Sequence, residues 1–259
     1  MDALRRDFLP SELAALQAPM DFCGSIAVQA RQDEEETRWL LELADAHPHV
    51  LGVVGWVDLR APNVDDSLAR FAAHPRFVGV RHVVQDEPDD QFLLGKEFMR
   101  GLARLSRHGL AYDLLIYPRQ LAAAVELVRR MPGQRFVLDH AAKPSIRAGA
   151  LQPWAEQIEK LASLSNVWCK VSGLVTEANW DTWAASDLHP YLEVIFGAFG
   201  PDRLMVGSDW PVCLLAGDYA RVMNVAIDYM RRRAPQSLDA FLGGTAAAFY
   251  LKPSKLNAP

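Results

Sequence analysis

Arg203-Leu204-Met205-Val206-Gly207-Ser208-Asp209-Trp210-Pro211-Val212-Cys213 is the stretch from which the rest of the chain can be read. Three apolar residues run into two small ones and then deliver a carboxylate, Asp209, just ahead of a ring and a proline. Proline cannot donate to a sheet ladder and pushes the residue before it out of helical geometry, so the chain must turn near Trp210 and Pro211. The expectation is a buried strand with Asp209 at its carboxyl end. In a parallel α/β sheet that end is where chemistry collects, and a carboxylate there serves as general base or metal ligand. It can equally cap the turn that follows, and the stretch by itself leaves these readings open.

The same beat repeats outward from this point. Apolar segments at 24–30, 50–57, 77–84, 110–116, 135–139, 167–172 and 203–208 read as strands. Segments 33–46, 65–73, 91–107, 119–130, 153–164, 187–199 and 219–232 read as the helices that follow them. In the first of these helices three glutamates stand at the start, where the macrodipole favours them, and Trp39, Leu40, Leu41 and Leu43 recur at helical spacing. A short helix at 11–18, with Ser11 as its cap, precedes the first strand, and a C-terminal helix at 237–250 closes the chain. Strands that are apolar on both faces and alternate with helices mean parallel βαβ units, so the fold class is α/β. Seven recognisable strands with a helix leading into the first fit a (β/α)8 TIM-type barrel that lacks its first strand. No linker or repeat interrupts the pattern, and residues 1–259 read as a single barrel domain.

Composition narrows the function. A chain of 259 residues, half apolar and 23% charged, has the size of one α/β barrel. Its net charge of −5, with scattered Lys and Arg, argues against nucleic acid as a partner. No apolar run approaches the ~20 residues of a membrane span, and no hydrophobic region follows Arg5 and Arg6 as it would in a signal peptide. Cys23, Cys169 and Cys213 are odd in number and lie in or beside apolar strands, which suits reduced thiols and a cytoplasmic location.

Polar residues recur at the expected strand ends: Gln29, Arg81 with His82, Asp113, Asp139 with His140, Lys170 with Ser172, and Asp209. A charge against the helix layer is costly, so most of these should face the lumen, where they pair or meet a substrate. Packing does not easily explain such convergence. For single members a structural role stays open: Asp139 as the group that orients His140, and Arg81 with Asp113 as an internal salt bridge. Among the seven histidines His140 has the first claim, because it ends a strand and precedes small residues, and His82 the second. His47 and His49 superficially match a His-x-His metal motif. They precede a strand, however, and read as helix C-terminal residues on the non-catalytic face, with His74 repeating that position one unit later. Trp56, Trp180, Trp183 and Trp210 are rings able to stack on a sugar face or simply to pack.

Val206 to Pro211 (Val-Gly-Ser-Asp-Trp-Pro), Leu138 to Pro144 (Leu-Asp-His-Ala-Ala-Lys-Pro), Lys170 to Gly173 (Lys-Val-Ser-Gly) and Gly79 to His82 (Gly-Val-Arg-His) together resemble the amidohydrolase superfamily. Within it the chain is most similar to the L-fuconolactonase and 2-pyrone-4,6-dicarboxylate lactonase group, over nearly its whole length, and Gly52 to Leu59 leans toward the sugar lactonases. The resemblance implies a barrel that hydrolyses a cyclic ester, Asp209 activating water and His140 lying near the substrate carbonyl or a metal. It also implies substrate contacts from Gln29, Arg81, His82, Asp113, Lys143, Lys170 and Trp210, a small-molecule lactone as partner, and a divalent metal such as zinc held by His140 and Asp209. Members of the group begin with a strand carrying His-x-His, and none precedes residue 24 here. A barrel without that strand would expose a seam between the strands at 24–30 and 203–208, which favours a start assigned too far downstream over a missing strand. The metal site implied is then incomplete. The alternatives are a metal-dependent decarboxylase of the same superfamily and a non-catalytic protein that binds sugar acids.

Overall fold

The computed structural model describes residues 2–251. Its sheet runs in chain order through β1 (Ser25–Val28), β2 (Val50–Gly55), β3 (Phe77–His82), β4 (Ala111–Leu114), β5 (Phe136–Leu138), β6 (Val167–Val171) and β7 (Leu204–Val206), every pair parallel. The helices are α1 (Pro10–Gln17), α2 (Glu34–Ala46), α3 (Val64–Ala72), α4 (Lys96–Leu102), α5 (Leu121–Arg130), α6 (Trp154–Ala162), α7 (Ala185–Phe199), α8 (Tyr219–Arg233) and α9 (Thr245–Tyr250). Local chemistry starts them where expected. The Asp33 side chain accepts from Glu35 N ahead of α2, and Asp218 accepts from Arg221 N ahead of α8, which ends in three arginines.

Period-two alternation explains the interior. Ile26 and Val28, Val54, Val78, Ala111, Val137, Trp168 and Met205 come from all seven strands and pack as one apolar group, so the sheet curls around a common lumen. Phe249 and Tyr250 of α9 fill the same group. Arg135 and Gly109, which precede β5 and β4, hold the end of that helix: Arg135 donates to Phe249 O and to Gly109 O. The C-terminal helix therefore plugs the amino-terminal end of the barrel. One pleat further along each strand, the lumen position passes from Ala111 to Asp113, from Val137 to Asp139 and from Trp168 to Lys170. On β3 a bulge sets Phe77 opposite Val53 but Gly79 opposite Val54, which leaves Arg81 at the same level. Above an apolar floor thus lies a charged storey.

Among the described residues β1 pairs with β2 alone and β7 with β6 alone, so the sheet has two edges where a closed barrel has none. All four β1 residues keep some exposure, whereas β4 and β5 are wholly buried. Beside this seam Leu13 and Leu16 of α1, with Met20 and Phe22, pack against Tyr219, Met223 and Ile227 of α8 and against Val206.

Several expectations change. The helix expected at 91–107 is α4 alone, flanked by 3-10 turns at Phe92–Leu94 and Leu105–His108, because Gly95 is extended and breaks it. The one at 237–250 is a π turn at Ala240–Gly244 followed by α9. The helix at 11–18 starts at Pro10, so Ser11 does not cap it. Arg81 pairs with Asp139 and not with Asp113. His82 faces away from the lumen into the helix layer, stacked on Phe92 with ring centroids 4.8 Å apart, its Nε2 2.7 Å from Glu87 and its Nδ1 accepting from Trp56 Nε1. His47 and His49 do lie at the amino-terminal face, His49 Nε2 2.9 Å from Pro10 O. Among the described residues no helix is long and apolar enough to cross a membrane.

Where α4 meets the loop after β2, a Cβ on Gly101 would lie 1.9 Å from the Leu59 carbonyl oxygen. Backbone cannot yield there as a side chain could, so Gly101→Ala is expected to cost about 3 kcal/mol, near the upper end of overpacking penalties. Thermal denaturation should show a midpoint lower by roughly 6–12 °C for a chain of this size.

Candidate active site

The charged storey is a closed network. Lys170 Nζ lies 2.5 Å from Asp113 Oδ2 and 2.7 Å from Asp139 Oδ1, and Arg81 Nη1 lies 2.9 Å from Asp139 Oδ2. Arg81 Nη2 also reaches Gln29, whose amide returns a hydrogen bond to Arg81 O. From below, the Tyr250 hydroxyl meets both oxygens of Asp113, at 2.9 and 2.8 Å. Two cations and two carboxylates cancel, which is how ionised groups survive in so dry a place. Burial would raise the Asp139 carboxyl, but Lys170, then Arg81 and His140, outweigh it and hold it well below the usual carboxylate range. Asp113 is raised to about 6 by burial, despite Lys170. Burial likewise pulls on Lys170, and the two carboxylates overcome it to raise its pKa.

Above this network stand His140 and Asp209, with Nε2 and Oδ1 3.5 Å apart and side chains 10% and 16% exposed. Asp139 occupies the lumen position, so an extended chain would send His140 outward. Instead the backbone turns left-handed at once: His140, Ala141, Ala142 and Lys143 have φ of 52°, 48°, 58° and 51°. Each such residue costs about 1–2 kcal/mol without glycine, and strain of this kind collects at functional sites. Trp154 Nε1 pins the turn by donating to Ala141 O at 2.8 Å. The ring itself is set by Ser172 Oγ, 2.9 Å from Nδ1, and by Gly173, whose φ is +62° and whose Cβ would fall 2.7 Å from the imidazole. Burial lowers the His140 pKa below the ordinary histidine range against the pull of Asp209 and Asp139, which keeps the ring neutral at pH 7. Asp209 is also left-handed, at φ 55°. Its main-chain carbonyl accepts from Cys213 N, and its carboxylate faces His140 instead of capping the turn.

Around this pair lie further polar groups. Lys143 Nζ is 5.4 Å from the Tyr117 ring, and Arg147 donates to Ala178 O above Trp180. Glu177, in the loop after β6, shares the field of Lys143, Asp209 and Arg147, its carboxyl raised chiefly by burial. Trp210 meets Phe8 edge to face at 5.3 Å, and its Nε1 is buried without a hydrogen-bond partner, as is Arg81 Nε. The structure therefore brings together Gln29, Arg81, Asp113, Asp139 and Lys170 in the lumen, and His140, Lys143, Asp209 and Trp210 at its mouth. His82 is left in the helix layer, and Trp183 is packed away with its Nε1 on Ala216 O. Sequence reasoning missed Glu177 and Tyr250. Glu177 sits in a short turn without periodicity, and Tyr250 reads as an ordinary apolar-face residue of a terminal helix; the acid's place in the loop after a barrel strand was the only available signal.

A catalytic zinc takes three protein ligands and leaves one position for water. His140 and Asp209 are close enough together to share an ion, yet no group of three or more His, Cys, Asp or Glu with metal-holding geometry exists among the described residues. The donor set is one short.

The chain is similar to known proteins over nearly its whole length. An L-fucono-1,5-lactonase of Burkholderia multivorans is 41% identical over 269 aligned residues, covering 100% of this chain and 90% of that protein. A second L-fucono-1,5-lactonase, from Burkholderia ambifaria, is 38% identical and covers 96% of this chain and 83% of its own length. A crystal structure of an amidohydrolase from Burkholderia multivorans with bound zinc superposes with a TM-score of 0.92 at 41% identity, over 96% of this chain and 90% of that one. The amidohydrolase family model matches residues 2–252, all but a few residues at either end. With the lumen charges, the strand-end His140 and the terminal Asp209 in place on a parallel α/β sheet, the chain belongs to the amidohydrolase family.

Proposed function

We propose that this chain hydrolyses a sugar-type lactone, with Asp209 as general base. The observation that carries the reading is the 3.5 Å approach of the Asp209 carboxylate to a neutral His140 at the carboxyl-terminal mouth of the lumen. Asp209 takes a proton from water as its oxygen attacks the lactone carbonyl carbon. In this reading the 2.9 Å contact of Ser172 Oγ with Nδ1 is assigned as a hydroxyl donating to the ring, which puts the His140 proton on Nε2 to polarise the carbonyl, and the unpartnered Arg81 Nε–H adds a second donor to the developing oxyanion. As the ring C–O bond breaks, Asp209 returns the proton to the departing oxygen, which becomes a hydroxyl of the open sugar acid.

Gln29, Lys143 and Trp210 are the further substrate contacts in this reading, while Lys170 and Asp113 support Arg81 and Asp139 from beneath. The names of the two Burkholderia relatives make L-fucono-1,5-lactone the first compound to test. His140 and Asp209 are the donors that this chain offers a divalent ion such as zinc; being one short, they are assigned no metal-dependent step.

Asp209→Asn keeps the shape and removes the base. Lactone hydrolysis followed by acid release should fall by about 10²–10⁴-fold, the usual worth of a general base, with the thermal midpoint little changed. Turnover near the wild-type rate would remove Asp209 from the mechanism. Ser172→Ala frees the His140 ring, and kcat is expected to drop by roughly 10-fold with a smaller change in KM, as for loss of an orienting hydrogen bond of about 1–2 kcal/mol.

A further inference from the structure

We propose that Tyr250, on the C-terminal helix at the opposite end of the barrel from the mouth, is a positioning residue for the active site. Its hydroxyl, through Asp113, sets where the Lys170 charge is held and so how firmly Asp139 keeps Arg81. This inference rests on the lactonase reading.

The geometry is a chain of contacts with no gap. Tyr250 OH meets both oxygens of Asp113; Lys170 Nζ bridges Asp113 and Asp139; Asp139 holds Arg81; and Asp139 is bonded in sequence to His140. Asp113 and Tyr250 are fully or almost fully buried, at 0% and 4% exposure, so water cannot replace a lost partner. The groups that face Asp113 are Lys170 from β6, Asp139 from β5, Arg81 from the opposite position on β3, and Tyr250 from α9. Only the last is a neutral donor, and a phenol held between the two oxygens of a carboxylate stabilises the ionised form. Without that hydroxyl, Asp113 binds a proton at a higher pH. Lys170 then leans on Asp139 alone, and the network carries one net positive charge beneath the carbonyl-binding donors. Tyr250 touches no substrate position, so the effect belongs in the chemical step and not in binding.

The test is Tyr250→Phe in the full chain, with Phe249→Leu as the control, because that neighbour packs in the same floor without touching Asp113. For Tyr250→Phe the acid limb of the profile should move up by about one pH unit with KM within about 2-fold, so that kcat falls roughly 10-fold at about pH 5 but only about 2-fold at about pH 7, and raising the pH restores activity. Phe249→Leu should lower the thermal midpoint yet leave the acid limb where it is. A Tyr250→Phe profile that superimposes on the wild type, or a Phe249→Leu profile shifted equally, overturns the proposal. If Tyr250→Phe does not fold, Asp113→Asn replaces it. That variant should lose kcat and also the part of the acid limb near pH 6 that Asp113 sets, and an unchanged limb overturns the inference. Should the wild type open no lactone, the lactonase reading fails by itself. The Asp113 carboxyl ¹³C titration, expected near pH 6 in the wild type and higher in Tyr250→Phe, then decides the Tyr250 link separately.

Discussion

One ammonium shared by two buried carboxylates is the contact on which the site depends. Lys170 stands between Asp113 and Asp139 in a lumen that admits almost no water, and neither acid could be accommodated in ionised form without it. Because Lys170 cannot satisfy both alone, Arg81 is recruited to Asp139 and Tyr250 to Asp113. The result is an arrangement without net charge, held by contacts to every member, with Arg81 Nε the donor left over. It forms a floor of fixed dipoles and charges beneath the place where an oxyanion would develop.

The strain lies directly above. Four left-handed residues in succession, His140 to Lys143, are a conformation that L-residues avoid, and the surroundings must hold it in place. Trp154 on the Ala141 carbonyl, Ser172 on the imidazole and the close approach of Gly173 do so. Their common effect is to bring a histidine that follows an inward-facing aspartate back toward the mouth, beside Asp209. Local stability is sacrificed for a geometry that an ordinary strand end cannot supply.

The two ends of the sheet are a different matter. β1 and β7 bound a seam beside which side chains from α1, the loop after α1 and α8 pack, and the residues of β1 retain exposure that interior strands do not have. Val206 to Trp210, the segment that delivers Asp209, borders that seam and is partly exposed throughout. Asp209 thus sits on the less enclosed side of the site and the charge network on the more enclosed side, a division that suits the proposed roles, since a base must meet water and the network must exclude it.

Much of this was legible in the residues themselves. Alternating apolar strands and helices specify a parallel α/β sheet, because only such a sheet buries both faces of every strand. The turn forced by Pro211 places Asp209 at a strand's carboxyl end whatever the rest of the chain does. What residue order could not decide is which member of each adjacent polar pair looks inward. Arg81 and His82 occupy opposite faces of β3 and the bulge there assigns them, whereas Asp139 and His140 would do so only on an extended chain, and the left-handed turn after β5 brings both into the site. Partners were equally undetermined: Lys170 joins Asp113 to Asp139, and Tyr250 arrives from 137 residues away, because curling the sheet brings together lumen positions that lie far apart in the chain. Sequence therefore settled the strands and the acid at the end of the last one. Only the tertiary structure, through pleat parity and curvature, decided which charges meet.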